Sequence, residues 1–171
     1  MLAELLVLRV IHVVGGIFWV GSHLFNAFFL FPALERAGPA AGPIMGMFAQ
    51  RRLFVVLPTV ALLTVLSGVR LLWITSGDFA AVYFDTTRGL TFSVSGGAAI
   101  LAFLLGIFVA RPTAMRMGAI RQSLPAAPDE QARARLAAEL DALQRRNAMF
   151  ARLLTGLLLT AAAGMAVGRY M

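Results

Sequence analysis

Four long apolar stretches alternate with polar connections along the 171 residues of the chain. A helix needs about 20 predominantly apolar residues to cross a hydrocarbon core of about 30 Å, and each stretch reaches that length with few charged residues. The predicted membrane spans are residues 5–34, 53–74, 89–110 and 148–168. This pattern predicts an all-α integral membrane protein in which residues 1–171 form a single transmembrane domain, a four-helix bundle.

Two of the connections between these spans carry structural signals of their own. The first, "ERAGPAAGPIMGMF", is punctuated by Gly and Pro and is expected to be a loop with one interfacial helical turn. The third, residues 111–147, is expected to be a cytoplasmic helical hairpin that extends span three, breaks at "LPAAP" and runs directly into span four. Leucines recur at helical spacing in its second arm, at Leu136, Leu140 and Leu143. The charged surface of this hairpin is either solvated or a docking surface for another protein.

The amino-acid composition excludes several classes of protein and of chemical site. The chain is 60% hydrophobic and only 13% charged, which makes it far more apolar than a soluble domain. It has no cysteine, which excludes disulfides and thiolate metal sites. All 15 basic residues are arginine, so Schiff-base chemistry on lysine is excluded as well.

The distribution of charge predicts the membrane topology. Arginines are concentrated in the first and third connections, whereas the second carries Asp78 and Asp85 before Arg88. By the positive-inside rule the first and third connections are cytoplasmic, and both termini lie outside. The chain is thus expected to be a multi-pass protein of the bacterial inner membrane, with the lipid bilayer as a partner. Cytoplasmic connections account for the net charge of +7, so nucleic-acid binding is not expected.

Span one holds both histidines of the chain, and they share one face of the predicted helix. His12 and His23 are 11 positions apart, which on an α-helix places them within about 20° of each other and about 16 Å apart along the axis. Four further residues lie within about 60° of the same line and complete a polar stripe, namely Arg9, Gly16, Trp19 and Asn26. Because an ionisable side chain at membrane depth is costly, the stripe is expected to face other helices.

His12 is the candidate metal or cofactor ligand of this stripe. Two glycines next to it, Gly15 and Gly16, leave either a flat slot for the plane of a haem or a small surface for close helix packing. Haem propionates pair well with arginine, and Arg9, Arg70 and Arg88 are all predicted near the outer membrane boundary. The alternative for these arginines is snorkelling at helix ends.

His23 lies nearer the cytoplasmic side, and three roles are open for it. The first is a ligand of a second haem, the second is a proton-relay residue, and the third is a core histidine whose hydrogen bonds are made within the protein. A copper site would combine His with Met. The methionines of "IMGM" and "MRM" are spaced two apart, which points them away from each other on a helix, and they are interpreted as apolar filling.

Two segments resemble a superfamily of small bacterial membrane proteins. "IHVVGGIFWVGSHLFNAFFLFPAL" and "QRRLFVVLPTVALLTVLSGVRLLW" look like its first and second helices. The superfamily includes CopD-like copper-resistance domains, HemJ-type protoporphyrinogen oxidases and the membrane domain of cytochrome-c-fused urate-oxidising proteins. The residues that carry the resemblance are His12, Trp19, Gly21, Phe25, Asn26, Pro32, Pro58 and Gly68.

The resemblance implies a b-type haem with His12 as an axial iron ligand, in an electron-transfer or oxidoreductase membrane protein. The HemJ type pairs its histidine with a lysine, whereas this chain has none. No cytochrome c domain follows, so an electron-transfer partner such as a cytochrome c or a quinone would be a separate molecule. The second ligand is open: a parallel homodimer would bring His12 opposite His12, and a five-coordinate or His/Met haem would need one protomer only. The alternatives are a CopD-type copper-handling transport protein and a cofactor-free assembly or scaffold subunit.

Overall fold

The computed structural model describes residues 2–171, apart from the side chains of Glu35, Pro39 and Ala49. In this part of the chain there are helices and turns but no strand, which confirms the all-α prediction. The α-helices are α1 (Leu2–Phe25), α2 (Phe31–Ala37), α3 (Ala41–Gln50), α4 (Leu53–Ser76), α5 (Ala81–Phe84), α6 (Thr87–Leu105), α7 (Arg111–Ser123) and α8 (Glu130–Val167). Four helical stretches are long and apolar enough to cross a membrane, namely Leu2–Leu34, Leu53–Ser76, Thr87–Ala126 and Glu130–Tyr170.

Two of these stretches contain a π-helical turn just before a proline. The turn Asn26–Leu30 precedes Pro32, and the turn Gly106–Ala110 precedes Pro112. A proline ring clashes with the carbonyl four residues earlier in an α-helix, and both of those carbonyls lie in the wider π turns. The helical path can therefore continue past each proline, as far as Ala37 and Ser123.

The first connection is mostly helical in the structure, whereas a loop with one helical turn was expected. A short 3₁₀ turn, Gly38–Ala40, follows α2, and the ten-residue helix α3 follows that turn. The bend between α2 and α3 is made at Gly38, whose φ of +54° is a value that glycine adopts readily. Once that bend is made, the alanines and methionines that follow favour helix.

The chain divides into two compact units. The first comprises residues up to Phe103 together with Leu157–Met171, and the second comprises Leu104–Gly156. In the first unit α1 lies along α4, and a Cβ atom at Gly15 would collide with the Thr64 hydroxyl, so only glycine permits this approach. A Cβ atom at Gly164 would likewise collide with the hydroxyl of Ser95 on α6. Small residues therefore set two helix contacts of this unit.

The second unit contains α7 and the first part of α8. Arg116 Nε donates to Glu139 Oε1 at 2.8 Å, which joins the two helices. Between them the chain makes a 3₁₀ turn at Leu124–Ala126. The Asp129 carboxylate then accepts the Ala132 N–H at 2.6 Å and caps the start of α8.

Candidate functional site

His12 lies against the backbone of α4 at Gly68. A Cβ atom at Gly68 would be 2.6 Å from His12 Cε1, closer than non-bonded atoms come, and a tight 3.0 Å from Nδ1. Glycine is therefore required at this position for the half-buried imidazole to occupy its place between the helices.

A backbone carbonyl of α4 fixes the orientation of the ring. His12 Nδ1 is 2.8 Å from the Thr64 carbonyl oxygen, and a carbonyl oxygen only accepts, so Nδ1 carries the hydrogen. In the neutral imidazole Nε2 then holds a free lone pair. Histidines that bind metal ions are oriented in the same way, with the other ring nitrogen donating to a carbonyl or carboxylate.

The free nitrogen faces a methionine sulfur from the last helix. His12 Nε2 is 3.3 Å from Met165 Sδ, and a thioether sulfur has no hydrogen to donate. Two electron-pair donors thus point at each other, which is favourable when a proton on Nε2 or a metal ion joins them.

The nitrogen–sulfur distance matches two ligands of one metal ion. Metal bonds of about 2.0 Å to imidazole nitrogen and about 2.3 Å to sulfur, combined with this distance, give a ligand–metal–ligand angle of about 100°. Two atoms at that angle would be neighbouring ligands rather than ligands on opposite sides. Among the residues described, no group of three or more His, Cys, Asp or Glu side chains could hold a metal ion.

His12 and Met165 are not placed as the two axial ligands of one haem iron. Axial ligands on opposite sides of one iron would stand about 4.3 Å apart, which is wider than the 3.3 Å between Nε2 and Sδ. The glycines that were expected to leave a slot are in contact with α4: Gly15 is pressed against Thr64, and a Cβ atom at Gly16 would be 3.8 Å from Thr64 Cγ2. These glycines therefore serve helix packing, one of the two roles that the sequence left open.

Two of the three arginines proposed for propionates already have acceptors. Arg70 donates through Nε at 3.0 Å and through Nη2 at 2.7 Å to Glu4 Oε1, and it lies 5.6 Å from the centre of the Trp73 ring. Arg88 Nη2 donates to the Arg169 carbonyl oxygen at 3.2 Å. Arg9 is exposed. The contacts found within residues 2–171 do not bring these three arginines to one anion.

The remaining residues of the stripe are placed along α1 and just beyond it. Trp19 is half-buried and meets Phe103 edge to face, with ring centres 6.4 Å apart. His23 and Asn26 are half-buried, and Asn26 begins the first π turn. The His12–Met165 contact involves none of these three.

The sequence analysis did not identify Thr64 or Met165 as parts of the site. Thr64 contributes a backbone carbonyl. Every residue has one, so the residue type at position 64 cannot predict this role. Met165 did carry a signal, because it lies seven residues after Leu158 and four after Ala161, both buried on the same helical face. That periodicity predicts an inward-facing methionine, although not its contact with His12.

A shallow groove of about 540 Å³ lies elsewhere in the first unit, between α6 and the end of α8. Its two hydroxyls on α6 are bonded to their own helix, since Thr91 donates to Thr87 O and Ser95 donates to Thr91 O, each at 2.7 Å. The groove therefore offers an occupant mainly apolar contacts. His12 and Met165 are not among its lining residues.

No protein-family model, curated protein or solved structure matches this chain.

Proposed function

We propose that the protein is a multi-pass inner-membrane protein that binds copper between His12 and Met165 and takes part in copper handling. The observation that carries the proposal is the 3.3 Å approach of His12 Nε2 to Met165 Sδ, with Nδ1 held as a donor by the Thr64 carbonyl. Imidazole and thioether are ligands that suit copper. A haem that used His12 and Met165 as its two axial ligands has less support, because Nε2 and Sδ lie 3.3 Å apart and opposite ligands of one iron would be about 4.3 Å apart.

Membrane integration is supported by the four long apolar helices and by the surface of the first. Ile17 is 70% exposed and Phe29 is 66% exposed, and a continuous apolar face of this kind is rare on a water-soluble monomer. Hydrocarbon would cover it without cost. The arginine-rich connections favour a topology with both termini outside.

Each residue of the proposed site has one physical role. The Thr64 carbonyl holds the ring with Nε2 free, and Gly68 makes room for the ring beside α4. Gly15 lets α1 approach α4 closely enough for the Nδ1 bond to form. Met165 supplies a soft sulfur on a flexible side chain that adapts to a bound ion.

The test is a metal analysis of the protein purified in detergent from cells that are supplied with both copper and haem. About one copper per chain is expected, with loss of that copper in both His12→Ala and Met165→Leu. Met149→Leu is the matched control, because Met149 is an exposed methionine of the same helix α8, and it should retain the metal.

A visible spectrum recorded on the same sample separates copper from haem. A Soret band that disappears in His12→Ala would replace the copper proposal by the haem one. A protein that carries neither metal nor chromophore, while remaining folded by circular dichroism, would overturn both.

A further inference from the structure

We infer that the His12–Met165 site is selective for a soft monovalent cation, Cu(I), over Cu(II), Zn(II) and Fe(II). The inference rests on the proposed copper function and specifies the oxidation state in which the metal is bound. It follows from three properties of the site: the charge of its ligands, the charges around it and the softness of its sulfur.

Both ligand atoms are neutral. A divalent ion bound to one imidazole and one thioether would keep its full charge of two at membrane depth, where the low dielectric makes an uncompensated charge expensive. Sites for Zn(II) and Fe(II) reduce this cost with thiolates or carboxylates. Among the described residues, the hydrogen-bonding partners of the His12 ring are the Thr64 carbonyl and the Met165 sulfur, neither of which is an anion. A monovalent ion leaves half as much charge to be stabilised.

The formal charges near the site in sequence are mostly positive. Arg9 comes three residues before His12 on α1, Arg70 comes two residues after Gly68 on α4, and Arg169 comes four residues after Met165. Glu4 offsets one of these charges through its bond to Arg70. The residues next to the site in sequence therefore add no anion that would compensate a second positive charge on the bound ion.

The sulfur adds a chemical preference to the electrostatic one. A neutral thioether is a soft ligand that suits Cu(I), whereas Zn(II) and Cu(II) bind well to imidazole nitrogen and to oxygen. Met165 is thus the residue that determines which ion is bound, and His12 is the residue that determines whether an ion is bound. Two ligands at about 100° also leave coordination positions open, so the ion can be passed to another carrier.

The test uses Ag(I) as a redox-inert monovalent probe and Zn(II) as the divalent one, each titrated into the full-length protein in detergent. One Ag(I) per chain is expected, with Zn(II) bound at least about 100-fold more weakly. Met165→Leu removes one of the two ligands and should weaken Ag(I) binding by at least about 100-fold, the upper end of the loss seen when only a supporting outer-shell group is removed. Met165→His creates an imidazole pair and should shift the preference toward Zn(II). Met149→Leu should bind Ag(I) as the wild type does.

Electron paramagnetic resonance of the copper-loaded protein gives the second readout, because Cu(I) is silent and Cu(II) is not. A silent sample with about one copper per chain supports the inference. A full Cu(II) signal that depends on His12 overturns the monovalent selectivity while the copper function stands. If neither copper nor Ag(I) binds the folded protein, the copper function itself fails.

Discussion

The Nε2 atom of His12 lies 3.3 Å from the Sδ atom of Met165, although 153 residues separate them in the chain. The contact joins the first helix to the last, and the Nδ1 bond to the Thr64 carbonyl joins the same imidazole to α4. One side chain therefore links three helices of the first unit. A substitution that changes how any of these helices packs should therefore change the distance between His12 Nε2 and Met165 Sδ.

Gly68→Ala should weaken copper binding. The new Cβ would be 2.6 Å from His12 Cε1, so the ring must leave its place and Nε2 no longer faces Met165. A loss of copper affinity of about 10–100-fold is expected, measured by metal competition on the purified protein. Gly97→Ala is the control, because a Cβ there meets nothing within 4 Å. If Gly68→Ala binds copper as the wild type does, the ring position is not the determinant.

Gly15→Ala should lower the stability of the α1–α4 contact. Its Cβ would collide with the Thr64 hydroxyl, which is bonded to its own helix at Val60 O, and overpacking of this kind costs about 1–3 kcal/mol. Denaturation in detergent measures the effect. Gly21→Ala, on the same helix but with nothing within 4 Å of its Cβ, should be neutral or stabilising by up to about 1 kcal/mol. Equal stabilities of the two variants would contradict the close contact.

Arg70→Gln should leave the copper content unchanged and the stability nearly so. Arg70 and Glu4 are 45% and 42% exposed, and ion pairs with this much exposure contribute about 0–1 kcal/mol. The variant also separates the two cofactor hypotheses, since an arginine that holds a haem propionate would be needed for cofactor retention. Loss of a bound chromophore in Arg70→Gln would therefore favour haem.

The number and kind of long helices could be predicted from the sequence, because runs of apolar residues long enough to cross a bilayer have few other uses. The extension of these helices past Pro32 and Pro112 was predicted too, since span one was expected to reach residue 34 and the hairpin to continue span three. The π turns just before both prolines were not predicted, because the hydrophobic pattern does not distinguish a π turn from a regular α-helical turn.

The candidate site was predictable in part. The polarity of span one singled out His12, because a histidine at membrane depth needs a partner. Which partner it has depends on how α1, α4 and α8 pack. In an apolar helix, the sequence does not distinguish a methionine with a specific contact from one that only fills space in the core. The glycines show the same limit: the sequence left open whether Gly15 and Gly16 form a cofactor slot or a packing surface, and the structure places them against Thr64.

The start of α8 supplies a prediction that is independent of the metal site. The Asp129 carboxylate accepts the Ala132 N–H at 2.6 Å, and loss of such a cap costs about 1 kcal/mol of helix stability. Asp129→Ala should therefore increase hydrogen exchange and proteolysis in the first turns of α8, while copper content stays at the wild-type level because His12 and Met165 belong to the other unit. Gln131→Ala, an exposed neighbour, is the control. Unchanged exchange in Asp129→Ala would show that the packing of α8 against α7, through Arg116 and Glu139, is sufficient to hold that end of the helix.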